Sequence, residues 1–105
     1  MPTYEEAGDF ADELIDLQLF DGLVEFFRRV GGQVDNDGYG FFDPCCVIAG
    51  CLEDVPKQRL IALAVQGGVV HKRKGPKDDI VTALVFAADK AWRREQGEES
   101  PLLVP

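Results

Sequence analysis

No lysine or arginine precedes Arg28 in this chain of 105 residues. Proteins hold nucleic acid chiefly by setting Lys and Arg on phosphates, so the first quarter of the chain is excluded from that work. Histidine is almost absent as well: His71 is the only one. Nucleophilic catalysis needs a thiol or hydroxyl beside a base that a third group orients. His71 stands in a basic stretch, and the sequence sets no thiol next to it. No apolar run approaches the ~18 residues that a membrane span needs. No basic segment followed by an apolar run marks a secretory signal. Cysteine is scarce and oddly placed: Cys45, Cys46 and Cys51 lie within seven residues. An odd, crowded set is a poor disulfide framework, and the expectation is reduced thiols in the cytoplasm. No glycine-rich loop opens a helix in the phosphate-binding pattern; Gly67-Gly68 follows a helical pattern instead. No segment repeats.

What the chain has is segregated charge. Residues 1–54 hold thirteen acids against Arg28 and Arg29, a balance of −11, and residues 55–105 balance at +3, giving −8 in all. That excess repels nucleic acid, anionic membranes and acidic substrates at long range, and it attracts a basic surface. Hydrophobic content of 46% and seven Phe mark a folded globule and not an acidic tail.

Thr3 and Glu6 fit a capping box, with Thr3 as N-cap. Ala7, Phe10, Ala11, Leu14 and Leu17 then recur at helical spacing, with the acids on the other side. A second helix carries Leu19, Leu23, Phe26, Phe27 and Val30, with a break from the first at Asp21-Gly22 and a stop at Gly31-Gly32. Gln33 to Asp43 is not helical. Asp35-Asn36-Asp37-Gly38 is hairpin-turn chemistry, and 39–42 reads as a short strand. Asp43-Pro44 caps a helix from Cys45 to about Leu52, apolar nearly all round and so expected at the centre. Pro56 opens the next helix, with Leu60, Ile61, Leu63, Ala64 and Val65 inside and Gly67-Gly68 at its end. A strand is expected at 69–73, pairing with 39–42. The last helix, capped by Asp78 or Asp79, carries Ile80, Val81, Leu84, Phe86, Ala87, Ala88, Ala91 and Trp92 up to Gly97. The expected fold is mainly α with minor β: about five helices in a single compact domain over 1–97, a small two-stranded β element, and a flexible tail at 98–105.

Four features compete as sites. Glu5, Glu6, Asp9, Asp12, Glu13 and Asp16 form an acid-only helical face. Helices usually mix signs, because like charges at i,i+4 cost roughly 0.2–0.5 kcal/mol each. Such a face suits docking on a basic, nucleic-acid-binding surface of a partner protein. Small phage-encoded inhibitors of CRISPR complexes or of host nucleases are similar in character: short, acidic and single-domain. That is a likeness of type and not of sequence. The alternative is a winged-helix-like DNA-binding regulator, with Lys57, Gln58 and Arg59 starting a recognition helix and Lys72, Arg73, Lys74 and Lys77 forming a basic wing. Overall acidity opposes it. A structural subunit or homodimer, in which the acidic and basic halves meet between chains, is the third reading. The Asp-rich turn fails as a calcium loop, because Gly38 in the glycine position sets Pro44 where a bidentate Glu must stand. Adjacent Cys45 and Cys46 point about 100° apart on a helix and do not present a zinc pair. The sequence therefore predicts a non-enzymatic binding protein with no metal, no cofactor and no membrane.

Overall fold

The computed structural model describes residues 2–36, 38–70 and 75–97. Thr3 starts the first helix as expected. Its hydroxyl accepts from the Glu6 N–H at 3.2 Å, and the Glu6 carboxylate takes the Thr3 N–H at 3.4 Å. Helix α1 (Tyr4–Asp16) buries Ala7, Ala11, Leu14 and Ile15. Leu17 is not on the inner face; it caps the helix and is 56% exposed. The following residue, Gln18, turns the chain with φ 57°, a left-handed conformation usually left to glycine.

The break between the first two helices therefore falls at 17–19 and not at Asp21-Gly22. Helix α2 (Phe20–Val30) runs through both residues. Gly22 serves packing instead: a Cβ there would stand 2.7 Å from the Leu14 carbonyl oxygen. Its missing side chain lets α2 pass close over α1. Leu19, the first residue of the apolar pattern, is exposed at the N-cap without a side-chain cap. The orphan Phe20 N–H is taken by the Gln66 side chain at 3.1 Å, and the same amide donates to the Gln18 carbonyl at 3.0 Å. One glutamine thus clasps the whole corner. Leu23, Phe26, Phe27 and Val30 are buried at the i, i+3, i+4, i+7 spacing, and Gly31 ends α2 with φ 62°.

A hairpin follows. Strands β1 (Val34–Asp35) and β2 (Phe41–Phe42) pair antiparallel, Val34 opposite Phe42 and Asp35 opposite Phe41. The expected partner of 39–42 was 69–73. The turn chemistry of 35–38 decided otherwise: the Asp35 side chain accepts the Gly38 N–H at 3.3 Å, and Asn36 and Gly40 pair at 2.9 Å. Val69 and Val70 are not in a strand, and 71–74 lie outside the described residues. The other side of β1 meets the N-terminus, where the Asp35 N–H donates to the Pro2 carbonyl.

Asp43 caps helix α3 (Pro44–Leu52) by accepting the Cys45 N–H at 2.9 Å, with Pro44 in the first turn. The helix is not central. Pro44, Val47, Ile48 and Leu52 are buried, while Cys46 and Gly50 face solvent. Helix α4 (Lys57–Gln66) buries Leu60, Leu63 and Ala64 and leaves Val65 61% exposed. It ends in a Schellman turn: Val69 N–H reaches the Ala64 carbonyl at 2.8 Å and Gly68 takes φ 65°. Helix α5 (Lys77–Glu95) has Pro76 at its N-cap, so Asp78 and Asp79 lie in its first turn and do not cap it. Their charge still suits the positive end of the helix dipole. Phe86, one of the apolar residues that this helix carries, is 65% exposed.

The helices close one core. α2 packs on α5 and α1, α1 on α3, and α5 also covers α3 and α4. Phe26, Phe27, Leu23, Ile48, Leu52, Leu60, Ile80 and Leu84 are fully buried in it. Trp92 stacks on Phe27 at 6.4 Å and closes the end beside Gly32. The result is a small helical domain with a two-stranded sheet, and no described helix is long and apolar enough to cross a membrane. The tail at 98–105 lies outside the described residues.

Candidate functional site

An α-helix advances 100° per residue, which puts Glu5, Glu6, Asp9, Asp12, Glu13 and Asp16 on one arc of about 120°. The buried residues of α1 occupy the opposite side, because Ala7, Ala11, Leu14 and Ile15 recur three and four apart. All six carboxylates are exposed. The face runs about 16 Å along the helix at 1.5 Å per residue.

The six do not fare alike. Glu6 is held in the capping box. Glu13 reaches Arg29 of α2 at 4.0 Å. Asp12 lies by the α1–α3 seam, where burial first and then this carboxylate push the Cys51 thiol up to about 11. Glu5, Asp9 and Asp16 form no ion pair or side-chain hydrogen bond with any described residue. The acids of α2 and the two acids in the C-terminal half of α5 are paired. Arg28 of α2 grips Glu95 of α5 through Nε at 2.8 Å and Nη2 at 2.5 Å, and it meets Asp21 and Glu25 at 3.2 Å. The hydrogen bonds to Glu95 and Asp21 raise the Arg28 pKa and so fix its charge, while Arg28 holds the Glu95 carboxyl below its ordinary range. Arg29 pairs with Glu25 at 3.3 Å and Arg93 with Asp89 at 3.1 Å.

The rival basic features are differently placed. Lys57 is half-buried, and its ammonium donates to the Gly75 carbonyl at 2.8 Å, tying the start of α4 to the approach to α5. Lys77 donates to the Glu53 carbonyl at the end of α3. Both ammonium groups are engaged by backbone carbonyls of the fold. Arg59 is exposed and lines a small cleft of about 60 Å³ with Ile15, Gln18, Val55 and Gln66. Lys72, Arg73, Lys74 and His71 lie outside the described residues. No strand follows α4 among the described residues, and α5 stands where a winged-helix fold continues its sheet.

Comparison with protein-family models, with curated proteins and with solved structures finds no match.

Two further surfaces were not singled out in the sequence. Beside the start of α1, the Tyr4 and Phe42 rings meet at 5.4 Å, and Phe41 and Tyr39 are 66% and 89% exposed. The Tyr39-Gly40-Phe41-Phe42 run held a signal for this: side chains alternate across a strand, so a thin hairpin cannot bury both Phe. The second is an open groove of about 180 Å³ between α3 and α5, lined by Cys45, Cys46, Ala49, Thr82, Val85 and Phe86. Burial, then the Asp43 carboxylate, push the Cys45 thiol up to about 12. A thiol held protonated is a weak nucleophile, so the groove has apolar walls and no activated group on Cys45. Among the described residues, no three His, Cys, Asp or Glu side chains converge as a metal site.

Proposed function

We propose that this protein is a small, non-enzymatic binding protein. It docks the acidic face of α1 on a basic, nucleic-acid-binding surface of a partner protein and so inhibits that partner. The observation that carries the reading is the uncompensated state of Glu5, Asp9 and Asp16. The fold pairs Asp21 and Glu25 of α2 and Asp89 and Glu95 of α5 with Arg28, Arg29 and Arg93, yet it leaves an arc of six exposed carboxylates on α1 with Arg29 as the one described base at its margin. Like-charge neighbours cost folding energy, and a face that keeps that cost is suited to an outside cation. Complementary charge also speeds encounter with a basic partner. An acidic surface of this kind offers carboxylates where nucleic acid offers phosphates. Small phage-encoded inhibitors of CRISPR complexes and nucleases are alike in type, being short, acidic and single-domain.

The test is charge reversal. Asp9→Lys, Asp12→Lys and Asp16→Lys together are expected to abolish binding to the partner while leaving the circular dichroism spectrum unchanged. Undiminished binding by that variant sinks the proposal.

A further inference from the structure

We infer that the aromatic hairpin beside α1 is the anchor of the same interface, and that it selects arginine over lysine in the partner. This rests on the reading of α1 as a face for a basic protein, and it adds what kind of cation is taken.

Two of the rings lie near acids of the ladder or of α1. Phe41 stands opposite Asp35 in the ladder. Residues directly opposite in an antiparallel pair keep their Cβ atoms about 4.5–5.5 Å apart on one face. Phe42 leans on Tyr4 at 5.4 Å, and Tyr4 is followed in α1 by Glu5 and Glu6. A cation above Phe41 therefore has the Asp35 carboxylate across the ladder, and one above Phe42 is at the start of the acidic helix. Large, solvent-exposed rings are poorly explained by folding, since Tyr39 and Phe41 bury little of themselves. Aromatic residues are enriched at protein interfaces, where a rigid ring gives contact area at low entropy cost.

The occupant follows from charge and shape. The acids around the hairpin exclude a nucleic-acid strand, whose phosphates they repel. They favour a cationic protein segment. Between the two cations, arginine fits better: its flat guanidinium stacks on a ring while its edge donates to a carboxylate, whereas an ammonium is a compact, strongly hydrated point charge. The fold already holds one such arrangement. The Arg29 guanidinium lies 5.6 Å from the Phe10 ring centre while it pairs with Glu25 and Glu13. The hairpin offers ring and acid together, and among the described residues no arginine lies over its rings.

Nona-arginine and nona-lysine peptides carry equal charge and separate stacking from charge alone. Titrated into the full-length protein, the arginine peptide is expected to bind about five- to tenfold more tightly, as one or two exposed stacked guanidinium groups would give. The double variant Tyr39→Leu, Phe41→Leu keeps apolar bulk and removes two rings that the fold barely covers. It is expected to lower arginine-peptide affinity to the lysine level and leave lysine-peptide affinity unchanged. The triple reversal on α1 is expected to weaken both peptides alike. Equal affinities for the two peptides in the native protein overturn the inference, and so does an arginine preference that survives the double variant. Either result leaves the role of the acidic face standing. Tighter binding of a single-stranded oligonucleotide than of nona-arginine also overturns it.

Discussion

Asp9→Lys should make this protein more stable and worse at binding. Asp9 lies mid-face on α1, with Glu5 and Glu13 four residues away on either side and Glu6 and Asp12 three away. Each like-charge pair at i,i+4 costs ~0.2–0.5 kcal/mol, and each opposite pair returns a similar amount. Flipping the sign at Asp9 therefore changes the two i,i+4 pairs by about 0.8–2 kcal/mol in favour of folding. Exposure of all four neighbours puts the effect near the lower end, about 1 kcal/mol, since solvent screens such pairs. The lysine is past the first turn, so the helix dipole, which acts within that turn, charges it little. For a domain near this size, 1 kcal/mol corresponds to a rise of roughly 4–8 °C in Tm. Scanning calorimetry at low ionic strength measures it, and added salt should shrink the gap by screening both states. A stabilised fold with weakened partner binding is the signature of a surface kept for function at the expense of stability. A lower Tm would refute the reasoning, because Asp9 would then have a structural partner that its exposed, unpaired geometry denies.

Gly22→Ala should destabilise by about 1–3 kcal/mol, as overpacking does. Its Cβ would press within 2.7 Å of the Leu14 carbonyl, and an unchanged urea midpoint would show that α1 and α2 can separate freely. Arg28 lowers the Glu95 pKa. Glu95 therefore adds stability that is present above its unfolded value, roughly 4.3, and lost as pH falls through the lower folded value. Glu95→Gln should remove that acid loss, giving a flatter stability curve below about pH 4. The raised thiols act in the opposite range. Cys45 at about 12 and Cys51 at about 11 should cost stability as pH climbs above the unfolded thiol value of roughly 8.5. At pH 8 a thiol reagent should modify the exposed Cys46 well before either, and mass mapping of the first adduct checks the order.

The parts of the fold that depend on local chemistry were legible in the sequence. Thr3 with Glu6, Asp43 with Pro44, and Gly31 announce helix ends through neighbours only a few residues away. The misread parts depend on distant chain. Gly22 follows an Asp and resembles a break, but its role is set by the Leu14 carbonyl of another helix. The actual corner uses Gln18, a residue with no turn signature, and is held by Gln66 from α4. An uncharged α3 suggested a central helix, yet burial depends on how many neighbours arrive, and none covers Cys46 or Gly50. The acidic face was visible because helical period alone puts its residues together. The hairpin rings were not, since their meeting with α1 runs through Tyr4 and Phe42, far apart in sequence. Lys57 and Lys77 looked like free cations because the carbonyls they bind, Gly75 and Glu53, cannot be paired with them by spacing.

The central claim is that the position of the α1 acids, and not the net charge, makes the binding surface. Affinity capture from host lysate tests it with two variants of equal net charge: Asp9→Lys, Asp12→Lys, Asp16→Lys on α1, and Asp54→Lys, Asp78→Lys, Asp79→Lys elsewhere on the exposed surface. The account predicts a basic protein retained by the native chain and by the second variant, released by high salt, and lost by the first variant. Equal loss by both variants, or retention by the α1 variant, would contradict it.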